Sequence, residues 1–198
     1  SDFTELKGIT VTIKGQPLPH LLYHFRTLYS GWSYLMVVLG GESFTALAEG
    51  LQNALWLLGG SPKEHRTDSL SAAYKNLRID EQEDVTQQYK AFCTHYHMTP
   101  TRNNKGVSHE NGGIESPHGH IKKRIAQAFM IRGSYDFDSV DGYQAWIEQV
   151  AQTHNRRHAK MVDVEKMALE PLPTHKTADY TVVPVKVSSA STIQVRTS

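Results

Sequence analysis

The sequence predicts a mixed α/β fold, a sheet with helices on its faces. Three observations predict it. Runs of aromatic and branched residues fill the first forty positions, the apolar period then becomes helical, and two further short extended stretches separate the helices. With 198 residues, 39% apolar and 21% charged, the chain fits one domain, or one domain and an appendage. A chain of this size hides roughly 70% of its unfolded surface, enough for a real core. The composition excludes collagen, coiled coil and wholesale disorder. The apolar run Leu35 to Leu39 is far too short to cross a bilayer, so no membrane partner is expected. A formal charge of +1 decides nothing about nucleic acid, because distribution matters more than the sum. The single cysteine, Cys93, excludes an intramolecular disulfide and a Cys-rich zinc site, and a reducing, cytoplasmic setting is expected.

Ser1-Asp2-Phe3 is already strand-like and lacks an initiating Met, as expected of an excised segment of a longer protein. Ile9, Val11 and Ile13 alternate with Thr10, Thr12 and Lys14, the period of a half-buried strand, and Gly15-Gln16-Pro17 is a turn. Leu21 to Leu28 and Trp32 to Leu39, split by Ser30-Gly31, complete three antiparallel strands. Leu47, Leu51, Ala54, Leu55 and Leu58 then share a helical face, with Ser43 as N-cap and Gly59-Gly60-Ser61-Pro62 as the stop. A short strand is expected around Glu64 to Thr67. Val85, Tyr89, Phe92, Cys93 and Tyr96 mark a second helix, and Met98 to Arg102 another short strand. Asn103 to Asn111 reads as a polar loop. A third helix carries Ile114, His118, Ile121, Ile125, Ala128 and Phe129 on one face. It should start no more than about one turn before Pro117, since proline is tolerated only in the first turn. A fourth uses Tyr143, Trp146, Ile147, Val150, Ala151 and His154. After Lys160 the helical period fades, Pro171-Leu172-Pro173 reads as linker, and Thr181 to Val187 and Thr192 to Arg196 as two strands.

Three acidic residues sit at element ends that such a sheet would bring together. Asp2 lies on the first strand, Asp68 just past the strand after the first helix, and Glu115 in the first turn of the third helix. A carboxylate there is favoured by the helix dipole. Three converging carboxylates repel one another unless a cation lies between them. Oxygen-only ligands suit Mg²⁺, and two such ions roughly 4 Å apart can activate one oxygen and stabilise the departing one.

These residues carry a resemblance. Asp2-Phe3, Thr67-Asp68-Ser69 and Gly112-Gly113-Ile114-Glu115-Ser116 match, in order, the acidic motifs of DDE transposases and retroviral integrases, at spacings of 66 and 47 residues. The second spacing, longer than in retroviral integrases, resembles IstA-type transposases of insertion sequences. Val183-Pro184-Val185-Lys186-Val187 and Thr192-Ile193-Gln194-Val195 resemble the entry to that family's small β-barrel. Ser69 and Gly113 depart from the common pattern, where Asn and Lys are frequent. The resemblance implies a ribonuclease-H-like mixed five-stranded sheet over residues 1–162, a linker over 163–178, and the start of a truncated β-barrel over 179–198. It implies that Asp2, Asp68 and Glu115 are catalytic and hold two Mg²⁺ ions, with Mn²⁺ as substitute. The implied activity is cleavage at transposon ends and 3′-hydroxyl strand transfer into target DNA. DNA, a companion AAA+ ATPase and further copies of the chain are the implied partners, in a bacterial cytoplasm. The alternatives are a hydrolytic nuclease on the same fold, or a catalytically silent DNA-binding or assembly module.

Competing residues have simpler readings. Asp80, Glu81, Glu83 and Asp84 sit at a helix start and are dipole partners. Glu110, the nearest rival of Glu115, precedes the glycines without helical anchorage. Lys122 lies two turns after Glu115 and, with Lys123, is a candidate phosphate contact. A DNA-binding lysine at the matching offset in retroviral integrases supports Lys122. Lys105 and Asn111 in the polar loop, and Arg156 and Arg157 at a helix end, are further candidates for DNA, although cations at a helix end are favoured without any ligand. Eleven histidines, among them the pair His154 and His158, lack the fixed spacing and cysteines of a zinc site. Trp32, Trp56 and Trp146 are expected in the core, and Cys93 to act as a small hydrophobe.

Overall fold

Period-two alternation along two six-residue strands decides which helices pack on which face. A computed structural model describes residues 1–67, 79–101 and 108–177, with backbone alone for 79–82, 84 and 108–118. Strand β4 (Leu21–Arg26) lies between β1 (Asp2–Thr4) and β5 (Ser33–Val38), antiparallel to both. Tyr23, Phe25, Tyr34, Met36 and Val38 enter one core with Phe3; Leu22 and Leu35 enter the other. The first core is covered by α1 (Phe44–Leu58) and α2 (Ile79–His95), through Leu47, Leu51, Leu55, Tyr89, Phe92 and Cys93. The second is covered by α3 (Ser108–Arg132) and α4 (Val140–Arg156), through Ile121, Ile125, Phe129, Tyr143 and Ile147.

Local chemistry sets the helix ends, at α1 as expected. Ser43 accepts from the Ala46 N–H at 3.1 Å and caps α1. Gly59 ends it in the left-handed region at φ 90°. Ser139 caps α4 through the Gly142 N–H at 3.0 Å. Gly50 lets α1 approach the sheet closely: a Cβ there would stand 2.4 Å from the Tyr23 ring.

The short strands expected at 64–67 and 98–102 are present as β6 (Glu64–Arg66) and β7 (Thr99–Thr101), paired in parallel. The single five-stranded sheet is not shown. Among the described residues, β1-β4-β5 and β6-β7 are separate ladders. They meet at Ser1, whose backbone N–H donates to the Arg66 carbonyl at 2.6 Å. β1 and β6 are only three residues long each, so one such bond falls short of a ladder.

Four further expectations are corrected. The Ile9-Val11-Ile13 alternation does not build the main sheet. Only Thr12–Ile13 is extended (β2), pairing with β3 (Gln16–Pro17) and with β8 (Asp136–Phe137). The chain leaves β1 through a turn at Gly8, φ 78°, and Val11 is buried in the α3–α4 core, so the alternation records helix packing. The third helix does not begin within a turn of Pro117. It starts at Ser108 and runs through Pro117. A proline in a helix interior lacks one donor, a loss of about 3 kcal/mol, and the well-packed stretch from Ile121 to Phe129 follows directly in the same helix. Glu110 and Asn111, read as the end of the polar loop and its neighbour, are therefore helical. After Lys160 the chain stays helical, as α5 (Ala159–Lys166), which buries Val162 in the first core.

The stretch read as linker is docked. Ser61 and Glu170 exchange backbone bonds at 2.9 and 2.8 Å. Buried Gln52 accepts at Oε1 from Tyr96 Oη at 2.6 Å, Thr177 N at 2.8 Å and Thr177 Oγ1 at 3.0 Å. The expected C-terminal strands lie outside the described residues. No described helix is long and apolar enough to cross a membrane.

Candidate active site

β1 carries Asp2 because Phe3, its neighbour, must point into the α1–α2 core; alternation then turns Asp2 to the opposite face. Asp2 is paired with His24, and Thr4 with Leu22, so Asp2 shares the sheet face that α3 and α4 cover. Glu115 lies on α3. Asp2 is half-buried, and its Oδ1 accepts from the Phe3 N–H at 2.8 Å. The bond from Ser1 to Arg66 sets the residue before Asp2 beside the residue two before Asp68. Asp68 itself lies outside the described residues, as does the Glu115 side chain. Among the described residues no three His, Cys, Asp or Glu side chains converge.

Beneath this corner lies a polar cluster that sequence reasoning missed. His65 on β6 is 2% exposed. Its Nε2 meets Ser1 Oγ at 2.9 Å and its Nδ1 meets Tyr89 Oη at 2.7 Å. Its ring stacks on Phe25 at 6.4 Å and 13°. Burial holds the imidazole well below its ordinary range, so it is neutral. The available signal was alternation: Glu64 is exposed, His65 buried, Arg66 half-buried and Thr67 buried. A histidine at the buried phase of a short strand needs partners.

The candidate DNA-contacting residues fall into two runs. On α3, Lys122 is half-buried and Lys123 exposed. At the end of α4, Arg156 and Arg157 are exposed. The charge of Arg124 on α3 reaches the end of α4: His154 is held below its usual pKa first by burial and then by Arg124. Asn111 lies on α3, not in a loop, and Lys105 lies outside the described residues. Because Glu110 is helical as well, lack of anchorage does not separate it from Glu115.

The remaining special residues are structural. His154 Nε2 meets the Gly31 carbonyl at 3.2 Å, and its ring lies 5.2 Å from that of His158. Trp32 is buried, while Trp56 and Trp146 are half-buried against the two cores. Cys93 is fully buried, and burial pushes its thiol up to about 11, as suits a packing residue.

No family model matches the chain. It is 53% identical over 196 residues to the uncharacterized protein y4jA/y4nE/y4sE of Sinorhizobium fredii (strain NBRC 101917 / NGR234), a match covering 99% of this chain and 39% of that protein. The chain thus spans well under half of this relative's length. Among solved structures, it overlays on the simian T-cell lymphotropic virus intasome in complex with PP2A regulatory subunit B56 gamma, with TM-score 0.57 and 16% identity, over 91% of this chain and 60% of that one. It also overlays on the HTLV-2 integrase catalytic core domain in complex with magnesium, with TM-score 0.48 and 18% identity, over 77% and 83% of the two chains. At such identities the likeness is one of fold alone, a mixed α/β architecture shared with the intasome chain.

Proposed function

We propose that this chain is the catalytic core of a DDE transposase of the IstA type, cutting transposon ends and joining their 3′-hydroxyls to target DNA. The observation that carries the reading is positional. Asp2 occupies the sheet face covered by the helix that bears Glu115, and the strand leading to Asp68 is bonded to the residue preceding Asp2. An integrase-like fold is the setting this chemistry requires.

The donor set is made of carboxylates alone, which fits hard divalent cations and not zinc. Asp2, Asp68 and Glu115 would hold Mg²⁺, with Mn²⁺ as substitute. Bound there, the ions supply charge to activate an attacking oxygen and stabilise the departing one. Water first cleaves the phosphodiester at the transposon end and leaves a 3′-hydroxyl. That hydroxyl then attacks a target phosphodiester and displaces its 3′-oxygen. The protein's carboxylates position and are not nucleophiles. Lys122 and Lys123, Arg156 and Arg157, with Lys105 and Asn111, are phosphate contacts in this reading. Multimeric assembly and a companion AAA+ ATPase belong to the same proposal, as does the domain division at 162 and 178.

The test uses the full-length protein, its cognate ends and a target plasmid. Asp2→Asn, Asp68→Asn and Glu115→Gln should each abolish Mg²⁺-dependent joining while end binding persists. Joining at the wild-type rate by any of the three removes that residue from the site. Cleavage without joining by wild type favours the nuclease instead. Loss of neither activity across all three variants makes the chain a DNA-binding module.

A further inference from the structure

We infer that His65 is a positioning residue that clamps β1 to β6 and so fixes Asp2 relative to the segment entering Asp68. This rests on the proposed catalytic reading.

β1 and β6 belong to separately paired ladders among the described residues, and each is three residues long. Two bonds from Ser1 join them: its N–H to the Arg66 carbonyl at 2.6 Å, and its Oγ to His65 Nε2 at 2.9 Å. The first is a main-chain bond that any residue at position 1 can make. The second needs a hydroxyl and an imidazole.

The imidazole is fixed from every side. Tyr89 of α2 approaches Nδ1 at 2.7 Å, and its own O–H is directed to the His65 carbonyl at 3.4 Å. Either tautomer keeps both bonds: with Tyr89 O–H on the carbonyl, Nδ1–H donates to Tyr89 and Nε2 accepts from Ser1, and the other tautomer exchanges the donors. Phe25 of β4 stacks on the ring, and Thr101 of β7 donates to the His65 carbonyl at 3.4 Å. The imidazole thus touches α2, β4 and the residue that precedes β1, while the His65 carbonyl takes the bond from β7, all at the corner beside Asp2. Unlike a leucine or phenylalanine, the imidazole makes both bonds. What it adds is orientation: two directed bonds that leave Ser1, and with it Asp2, one arrangement against β6.

The experiment compares His65→Phe, His65→Gln and Tyr89→Phe in the full-length protein. Gln can reach Ser1 with its carboxamide; Phe cannot. Folding is checked by near-ultraviolet circular dichroism. Binding of Mn²⁺ alone and Mg²⁺-dependent joining are both measured. A displacement of about 1 Å at a reacting centre lowers rate about 100-fold, and that loss is expected for His65→Phe at saturating Mg²⁺. Mn²⁺ affinity should weaken about tenfold, on the scale of losses when a supporting partner of a metal ligand is removed. The KM for transposon-end DNA should stay unchanged. His65→Gln should restore most of both, and Tyr89→Phe should lie between. Wild-type joining and Mn²⁺ affinity in folded His65→Phe overturns the inference, as does a His65→Gln no better than His65→Phe. If His65→Phe fails to fold, the Gln and Tyr89→Phe variants decide. A wild-type protein that binds Mn²⁺ yet joins nothing overturns the transposase reading alone, since Mn²⁺ affinity still tests His65. A wild-type protein that binds no Mn²⁺ overturns both.

Discussion

The two edges of the three-stranded sheet are finished in opposite ways. At β5, the outward backbone groups are taken by amide side chains of α4. Asn155 Oδ1 accepts from the Ser33 N–H at 2.8 Å, and its Nδ2 donates to the Ser33 carbonyl at 2.8 Å. Gln144 Oε1 accepts from the Val37 N–H at 2.7 Å, and its Nε2 donates to the Leu35 carbonyl at 3.2 Å. Two carboxamides imitate a neighbouring strand and close the edge. At β1 the join to β6 is made by Ser1 and a buried histidine. One edge is thus capped by side chains of a helix, and the other is held against a second ladder.

Opening the sealed edge should have the largest effect. Removing both amides in Gln144→Ala/Asn155→Ala strands the backbone groups of Ser33, Leu35 and Val37, for a loss of about 4 kcal/mol at 1–3 kcal/mol per buried unsatisfied group. Urea denaturation measures it, and light scattering should show self-association through the bared strand. Asn155→Ala and Gln144→Ala should each account for about half, because each amide makes two of the four bonds and all four are partly buried. A loss confined to one of the two would overturn this account of the edge.

The β1 side should be the acid-sensitive one. The His65 pKa is lowered by burial in the folded protein from about 6.5 in the unfolded chain. Below 6.5 the unfolded chain binds a proton that the folded one does not, so this contribution is full above that pH and is lost as pH falls. Stability measured against pH should fall below 6.5, and His65→Gln should flatten that fall. An unchanged slope in the variant would shift the effect to His154, which is depressed in the same direction.

The smallest effects should come from caps on the helices that flank the two edges. Ser43→Ala and Ser139→Ala each remove one side-chain acceptor, at about 1 kcal/mol. Thermal melts should place the two within error of each other, because both caps are exposed and both bonds are near 3 Å.

Much of the fold was legible where one element carried its own signal. α1 announced its cap, stripe and stop within seventeen residues, from Ser43 to Gly59. The stripes Tyr89-Phe92-Cys93 and Tyr143-Ile147-Ala151 named the buried faces of α2 and α4. The errors arose where local pattern had two sources. Ile9-Val11-Ile13 alternates because alternate residues enter the α3–α4 core, and only its last two residues are strand. Pro117 is a valid stop signal that a long helix overrode. α5 is eight residues long, and Val162 is its only buried residue, too little for a period to show; the Ser30 hydroxyl bonded to its Glu165 helps fix it. Of the candidate site, the acidic order was legible and the histidine beneath it was not.

What the sequence determined by itself was the alternation of β4 and β5, the apolar stripes of the helices and the serial order of Asp2, Asp68 and Glu115. Those are short-range patterns, and hydrophobic burial reads them directly. Only the tertiary structure decided which edge is sealed, which is held, and that His65, Gln144 and Asn155 do the work. Their bonds join residues 64, 107 and 122 positions apart. No local period encodes such a pairing, because a directed hydrogen bond depends on where two distant backbones meet.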